Sequence, residues 1–133
     1  MSQLIAIAVG GAIGSTLRYM MAASVNQRLQ GTSTLPVFPF GTLLVNTIGC
    51  FLIGLIFVLL QQRVSAHDGY ELLRGFIIIG VLGGFTTFST FSLETLQLMQ
   101  YGLWGKAMIN IISSVGVCIL AAMAGMGVGR VLT

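Results

Sequence analysis

The stretch "GGFTTFSTFSLE" at 83–94 gathers five hydroxyls, three phenyl rings and one carboxylate behind a Gly-Gly pair. The hydroxyls of Thr86, Thr87, Ser89, Thr90 and Ser92 are hydrogen-bond donors. Phe85, Phe88 and Phe91 carry ring edges that are electropositive, so an anion is attracted to them wherever bulk water is excluded. Glu94 closes the stretch. This is chemistry for holding an ion rather than for making bonds. The only histidine, His67, lies in a polar connection, and no nucleophile–base set or Cys/His cluster exists in the sequence. An enzyme is not expected.

The flanks, "FIIIGVL" before and "TLQLM" after, are apolar, and so is most of the chain. Of 133 residues, 56% are hydrophobic and 7% charged, and the mean hydropathy is +0.99. Soluble domains carry about 25% charged residues, so this surface is built for a lipid bilayer. The length suits four spans of about 20 residues with short connections, forming a single membrane domain over 1–133. The spans fall at about 4–25, 41–60, 75–99 and 107–129. No basic stretch precedes the first, which argues against a cleaved signal peptide. Pro36 and Pro39 suit the start of the second span, and Tyr101 and Trp104 suit an aromatic anchor at the turn before the fourth. Open sheet edges cannot face lipid, so the spans are helices and the fold class is all-α.

The basic residues do not choose an orientation. Arg63, Arg74 and Arg130 lie on one side, and Arg28, Lys106 and, by its lean, Arg18 on the other. Either the positive-inside rule is too noisy for so short a chain, or the chain inserts both ways and pairs antiparallel with itself. Gly10 and Gly14, Gly80 and Gly84, and Gly125 and Gly129 are each four apart, a spacing that lets helices cross closely. Cys50 and Cys118 fall in apolar runs and read as small buried hydrophobes rather than a disulfide or metal pair.

Three polar stripes carry more information. Thr42, Asn46 and Gly49 share one face of the second span; Asn110, Ser114 and Cys118 line the fourth, with Ser113 beside them; Thr87, Thr90, Phe91 and Glu94 fall together in the third. Ser, Thr and Asn can simply bind helices together. Three stripes in three helices can also line a narrow, partly hydrated path. Gly83-Gly84 followed by two β-branched threonines is poor helix material, so the third helix is expected to break near its middle. A break frees carbonyls that protein, water or an ion must satisfy. Glu94, the only acid within a span, is a functional suspect on that ground alone.

These motifs resemble the Fluc/CrcB family of small fluoride channels over nearly the whole chain. "GGAIGSTLRY" (10–19) resembles its first-helix signature, "FPFGTLLVNTIGCFLIG" (38–54) its second and "GGFTTFSTFSLE" its third, while the fourth helix matches only as a polar stripe. Ser15 stands where alanine is frequent in the family. The resemblance implies a dual-topology antiparallel homodimer in the bacterial cytoplasmic (inner) membrane, with two antiparallel pores that export fluoride passively. It implies a structural sodium ion at the dimer centre, held by backbone carbonyls that map to Gly83 and Thr86. Fluoride would pass Asn46 and the rings of Phe88 and Phe91, then follow a polar track including Ser114 and Glu94, with Ser89 and Thr90 as interleaved donors and Arg18 near the vestibule. Phe85 continues the ring spacing, but a break before Phe88 should decouple it. Such a chain's partners are a second copy of itself, fluoride and the lipid bilayer, with no nucleic acid.

Two other readings compete. Small dual-topology exporters that exchange protons for cationic drugs have four helices and a similar length, but use an acid in the first helix. The first span here has no Asp or Glu. A purely structural bundle subunit would not need the residues between 83 and 94.

Overall fold

In the computed structural model, residues 1–30, 37–63 and 69–133 are described, and among them all regular structure is helical. Helix α1 spans Ser2–Gln30 and α2 spans Phe40–Arg63. The third span runs as α3 (Tyr70–Arg74), an eight-residue π-helical segment (Gly75–Leu82), a single turn α4 (Gly83–Phe85) and, after a break, α5 (Phe88–Gln100). Helix α6 spans Trp104–Val131. Four stretches are long and apolar enough to cross a membrane: Ser2–Leu29, Phe40–Gln62, Tyr70–Gln100 and Trp104–Val131. The protein is a multi-pass membrane protein.

Each helix outruns the hydropathy window that announced it. That window marks only the bilayer core; flanking Gln, Glu and Arg are good helix formers and carry the coil on into the interface. Pro39 stands immediately before α2, and its carbonyl accepts from Leu43 N–H at 3.1 Å. Pro36 and His67, both noted in the sequence, lie outside the described residues. The turn into α6 is a Schellman closure. Gly102 takes φ 74°, its N–H reaches the Met99 carbonyl at 2.9 Å, and Leu103 N–H reaches Leu98 at 2.8 Å. Tyr101 and Trp104 are exposed there, as an interfacial anchor should be.

The bundle is two glycine-fused helix pairs. A Cβ on Gly10 would strike the Phe76 carbonyl and approach Gly80 Cα at 3.0 Å, while one on Gly84 would meet the Gly11 carbonyl at 2.7 Å. Backbone therefore lies on backbone between α1 and the π segment with α4. The second pair is α2 with α6: Gly54 abuts the Ala122 carbonyl, and Gly125 abuts the Phe51 carbonyl. All three Gly-x-x-x-Gly pairs in the sequence lie at these seams. Successive contacts climb together along both helices of each pair, so α2 and α6 run parallel.

The break in the third span does not fall on its glycines. Gly83 keeps helical angles (φ −64°, ψ −38°), and Gly84 is needed against α1. The chain leaves the helix at Thr86 (φ −85°, ψ 157°) and Thr87 (φ −152°, ψ 119°), whose β-branched side chains favour the extended region. Thr87 then caps α5, its Oγ1 accepting from Thr90 N–H at 3.1 Å.

Candidate functional site

The polar face of α2 meets the broken span rung by rung. At Gly49 the absent side chain makes room for the Thr86 methyl. One turn earlier, Asn46 Nδ2 donates to the Thr87 carbonyl at 2.9 Å while its Oδ1 accepts from Thr87 N–H at 2.8 Å. One turn earlier again, Thr42 Oγ1 donates to Glu94 Oε1 at 2.8 Å. An exposed break in a bilayer would leave peptide groups unsatisfied at several kcal/mol each; here an asparagine side chain stands in for the missing helical partner. Thr42 and Thr87 are buried.

A second polar line crosses from α5 to α6. Thr95 Oγ1 donates to the Phe91 carbonyl at 2.7 Å, Asn110 Nδ2 donates to Thr95 Oγ1 at 2.8 Å, and Ser114 Oγ donates to Asn110 Oδ1 at 3.3 Å. All three side chains are buried, Asn110 to 1% exposure. The last bond is long, so the Ser114 hydroxyl is the most easily redirected of the three.

Between these two lines lies a cavity of about 280 Å³, lined by Asn46, Thr87, Phe88, Phe91 and Ser114, with Cys50 and Cys118 further along α2 and α6. The Phe88 and Phe91 rings are paired at 5.3 Å between centroids, tilted by 47°. Phe85 is buried on the other side of the break, where it approaches Gly49, and is decoupled from that pair as expected. Asn46 has two amide N–H groups. One is spent on Thr87, and among the described residues the other has no protein acceptor.

A separate cavity of about 400 Å³ is lined by Arg18, Tyr19, Asn26, Thr42, Thr87 and Thr90, among others. Thr87 belongs to both cavities and so forms part of the wall between them. Arg18 reaches across it: Nη1 donates to the Thr86 carbonyl at 3.3 Å, which brings a positive charge to the break itself. The structure thus brings Asn46, Phe88, Phe91 and Ser114 to one cavity and Arg18 and Thr90 to its neighbour. Ser89 and Glu94 line neither. Ser89 is exposed and lies 3.2 Å from Thr87 Oγ1, and Glu94 is held by Thr42, its Oε2 buried without a partner among the described residues.

The carbonyls at the break can be examined for a small hard cation, whose ligands are oxygens. In a continuous helix the Thr87 N–H would bond to the Gly83 carbonyl. It bonds to Asn46 instead, so Gly83 loses its helical donor. The Thr86 carbonyl has one long bond from Arg18 and a second lone pair to spare. The donor set fits such an ion, with the Arg18 guanidinium as a competing positive charge.

Sequence reasoning missed Thr95, which joins α5 to α6. Its signal was its place four residues after Phe91 and opposite a buried asparagine, legible only once the α5–α6 register is known. It also read Cys50 and Cys118 as buried; both are half-exposed to the cavity.

Comparison with known proteins gives one answer. A family model described as "CrcB-like protein, Camphor Resistance (CrcB)" matches residues 5–126. The chain is 47% identical over 130 residues to a protein of Magnetococcus marinus named "Fluoride-specific ion channel FluC", covering 98% of this chain and 99% of that one. It is 48% identical over 129 residues to a Roseiflexus protein of the same name (97% and 98% covered), and 46% identical over 125 residues to one from Shewanella denitrificans (94% of each).

Proposed function

The chain belongs to the CrcB-like family, and from that membership we infer that it is a fluoride-selective channel, not an enzyme, passing fluoride passively across the bacterial cytoplasmic membrane. The observation that carries the reading is the cavity at the break. It presents a free amide N–H from Asn46, the ring pair Phe88–Phe91 and the Ser114 hydroxyl around a space of about 280 Å³. Fluoride is small and tightly hydrated, so a pore must replace its water shell with donors at close range; width and donor number then discriminate against chloride. Donors fixed in a water-poor cavity act with far greater strength than in bulk water. Ser89 and Thr90 extend the donor set on the exposed side of the rings, and Arg18 draws the anion into the neighbouring vestibule. Beyond the rings the track continues through Ser114, with Asn110 and Thr95 behind it and Glu94 beside α2.

The working unit is an antiparallel homodimer with two pores. Phe88 is 77% exposed, and Ser89 and Thr90 are exposed beside it in mid-span. Hydroxyls and a helix start facing lipid at that depth are costly, and a second, inverted copy covers them. The even division of basic residues supports insertion in both orientations. A structural sodium ion at the dimer centre would be held by the Gly83 and Thr86 carbonyls, and the Gly83 carbonyl's loss of its helical donor supports that reading. Such an ion would supply a fixed positive charge at the break.

The test is efflux from liposomes containing only the purified protein. Fluoride should leave rapidly and chloride should not. Liposomes that hold fluoride as tightly as protein-free ones would refute the channel.

A further inference from the structure

The cavity wall contains a pair of groups that fluoride passage does not use. Gly54 of α2 lies against Ala122 of the parallel α6. One turn earlier on each helix come Cys50 and Cys118, and one turn earlier again Asn46 and Ser114; all four line the same cavity. Glycine contact at Gly54 and Gly125 lets these two helices meet backbone to backbone, and one turn away Cys50 and Cys118 open onto the same cavity from the two helices. Both thiols are free, half-buried and open to the same cavity.

We propose that Cys50 and Cys118 form a two-thiol site for a thiophilic metal ion of linear, two-coordinate habit, and that Hg(II), arriving as neutral HgCl2, is the ion that fits it. Soft thiolates select soft metals, and the ligand is the thiolate, so binding releases protons. In the reaction HgCl2 + 2 RSH → Hg(SR)2 + 2 H⁺ + 2 Cl⁻, two S–H and two Hg–Cl bonds break and two Hg–S bonds form. Protons and chloride leave to the aqueous phase, and no oxidant or reductant is consumed. The product is neutral, which matters in a membrane interior where an uncompensated charge is costly. A monovalent Cu(I) or Ag(I) bis-thiolate would leave one negative charge there. Zinc needs four ligands, and among the described residues no group of three His, Cys, Asp or Glu side chains is gathered. Charge and coordination number thus both point to a divalent ion content with two sulfurs. Bound there, it bridges α2 to α6 one turn from Asn46 and Ser114 and obstructs the cavity.

The metal site stands on the helix geometry alone; the obstruction rests on the fluoride-channel reading. Two measurements separate them. Titrating the purified protein in detergent with HgCl2 should develop the ultraviolet mercury–thiolate band to saturation at one Hg per chain, with both thiols lost to a thiol reagent together. Saturation at two Hg per chain, or at none, overturns the site. In liposomes, HgCl2 should stop fluoride efflux and dithiothreitol should restore it. Cys50→Ser or Cys118→Ser alone should raise the half-blocking concentration about 100-fold, the low end of what tethering two ligands supplies. Mercury bound one per chain with efflux intact would overturn the placement in the ion path. Wild-type liposomes without mercury, if they failed to release fluoride, would instead sink the channel reading, and the titration would still decide the site.

Discussion

Asn46 holds the backbone of Thr87 from both ends, donating to its carbonyl at 2.9 Å and accepting from its N–H at 2.8 Å. One side chain therefore does the work of two helical hydrogen bonds across an interruption that hydrocarbon would not tolerate. Its second amide N–H has no protein acceptor among the described residues, and on the proposed channel reading it is the group that meets the anion. Position and chemistry are coupled in the same amide.

Replacing it should separate these roles. Asn46→Asp keeps an acceptor for Thr87 N–H but removes the donor to the carbonyl and adds a negative charge. A lost buried bond costs about 1–3 kcal/mol. The variant should purify as a dimer with a lowered unfolding temperature and greatly reduced fluoride efflux. Full efflux would mean that the amide is packing alone and the conduction path lies elsewhere.

The ring pair allows a cleaner comparison, since its members differ in burial. Phe91 is 9% exposed and Phe88 77%. Phe91→Ile should cost on the order of 1 kcal/mol or somewhat more in packing, and Phe88→Ile less within one chain. Both delete an electropositive ring edge and should cut efflux while dimers persist by size-exclusion chromatography. Should both retain wild-type efflux, the rings would not touch the ion.

Glu94 rests on one hydrogen bond from Thr42, at 2.8 Å, with its second oxygen buried. Glu94→Gln preserves that acceptor and should alter efflux without loss of the fold. Thr42→Val removes the one donor to Glu94 among the described residues and should destabilise by about 1–3 kcal/mol, read as a fall in unfolding temperature in detergent. Unchanged efflux in Glu94→Gln would make the acid structural.

Glycines at the seams and glycines elsewhere should respond oppositely to alanine. Gly14→Ala or Gly125→Ala would drive a methyl into the carbonyl of Val81 or Phe51 and should cost about 1–3 kcal/mol or prevent assembly. Gly11→Ala, Gly116→Ala and Gly127→Ala meet nothing within 4 Å in one chain and should be far milder. Thermal unfolding across the set checks this; a strong effect at Gly116 would place that face against the second copy.

Dual topology makes its own forecast. A compartment-sensitive reporter fused after Thr133 should signal on both sides of the membrane. Signal from one side only would sink the antiparallel dimer.

Much of this was legible beforehand because apolar runs and Gly-x-x-x-Gly spacings are local patterns with one physical solution in lipid. The stripe Thr42–Asn46–Gly49 could be read as a face, yet not what it faces. Only the folded backbone pairs Gly49 with Thr86, Asn46 with Thr87 and Thr42 with Glu94. The break near the middle of the third helix was legible from Gly83-Gly84 and the two threonines after them, but helix propensity does not say which of the four leaves the helix, being blind to the close packing that keeps Gly84 within it. Thr95 stayed hidden, and Cys50 and Cys118 were read as buried hydrophobes although they open onto one cavity, for the same reason: inter-helix register has no signature in a single sequence.

The interruption at Thr86–Thr87 divides the Tyr70–Gln100 span close to its midpoint, and the antiparallel dimer proposed above would give that placement a meaning. A two-fold axis lying in the plane of a membrane carries every height above the midplane to an equal depth below it. Only a feature at the midplane can meet its own image. Shifting the break by a single helical turn, about 5.4 Å, would part the two copies' breaks by about twice that distance. Any structure shared between them would be pulled open. In the proposed inverted dimer the depth of one pair of threonines is thus a constraint on the chain: a turn inserted between the break and one end of the span would have to be matched on the other side to keep the break at the midplane.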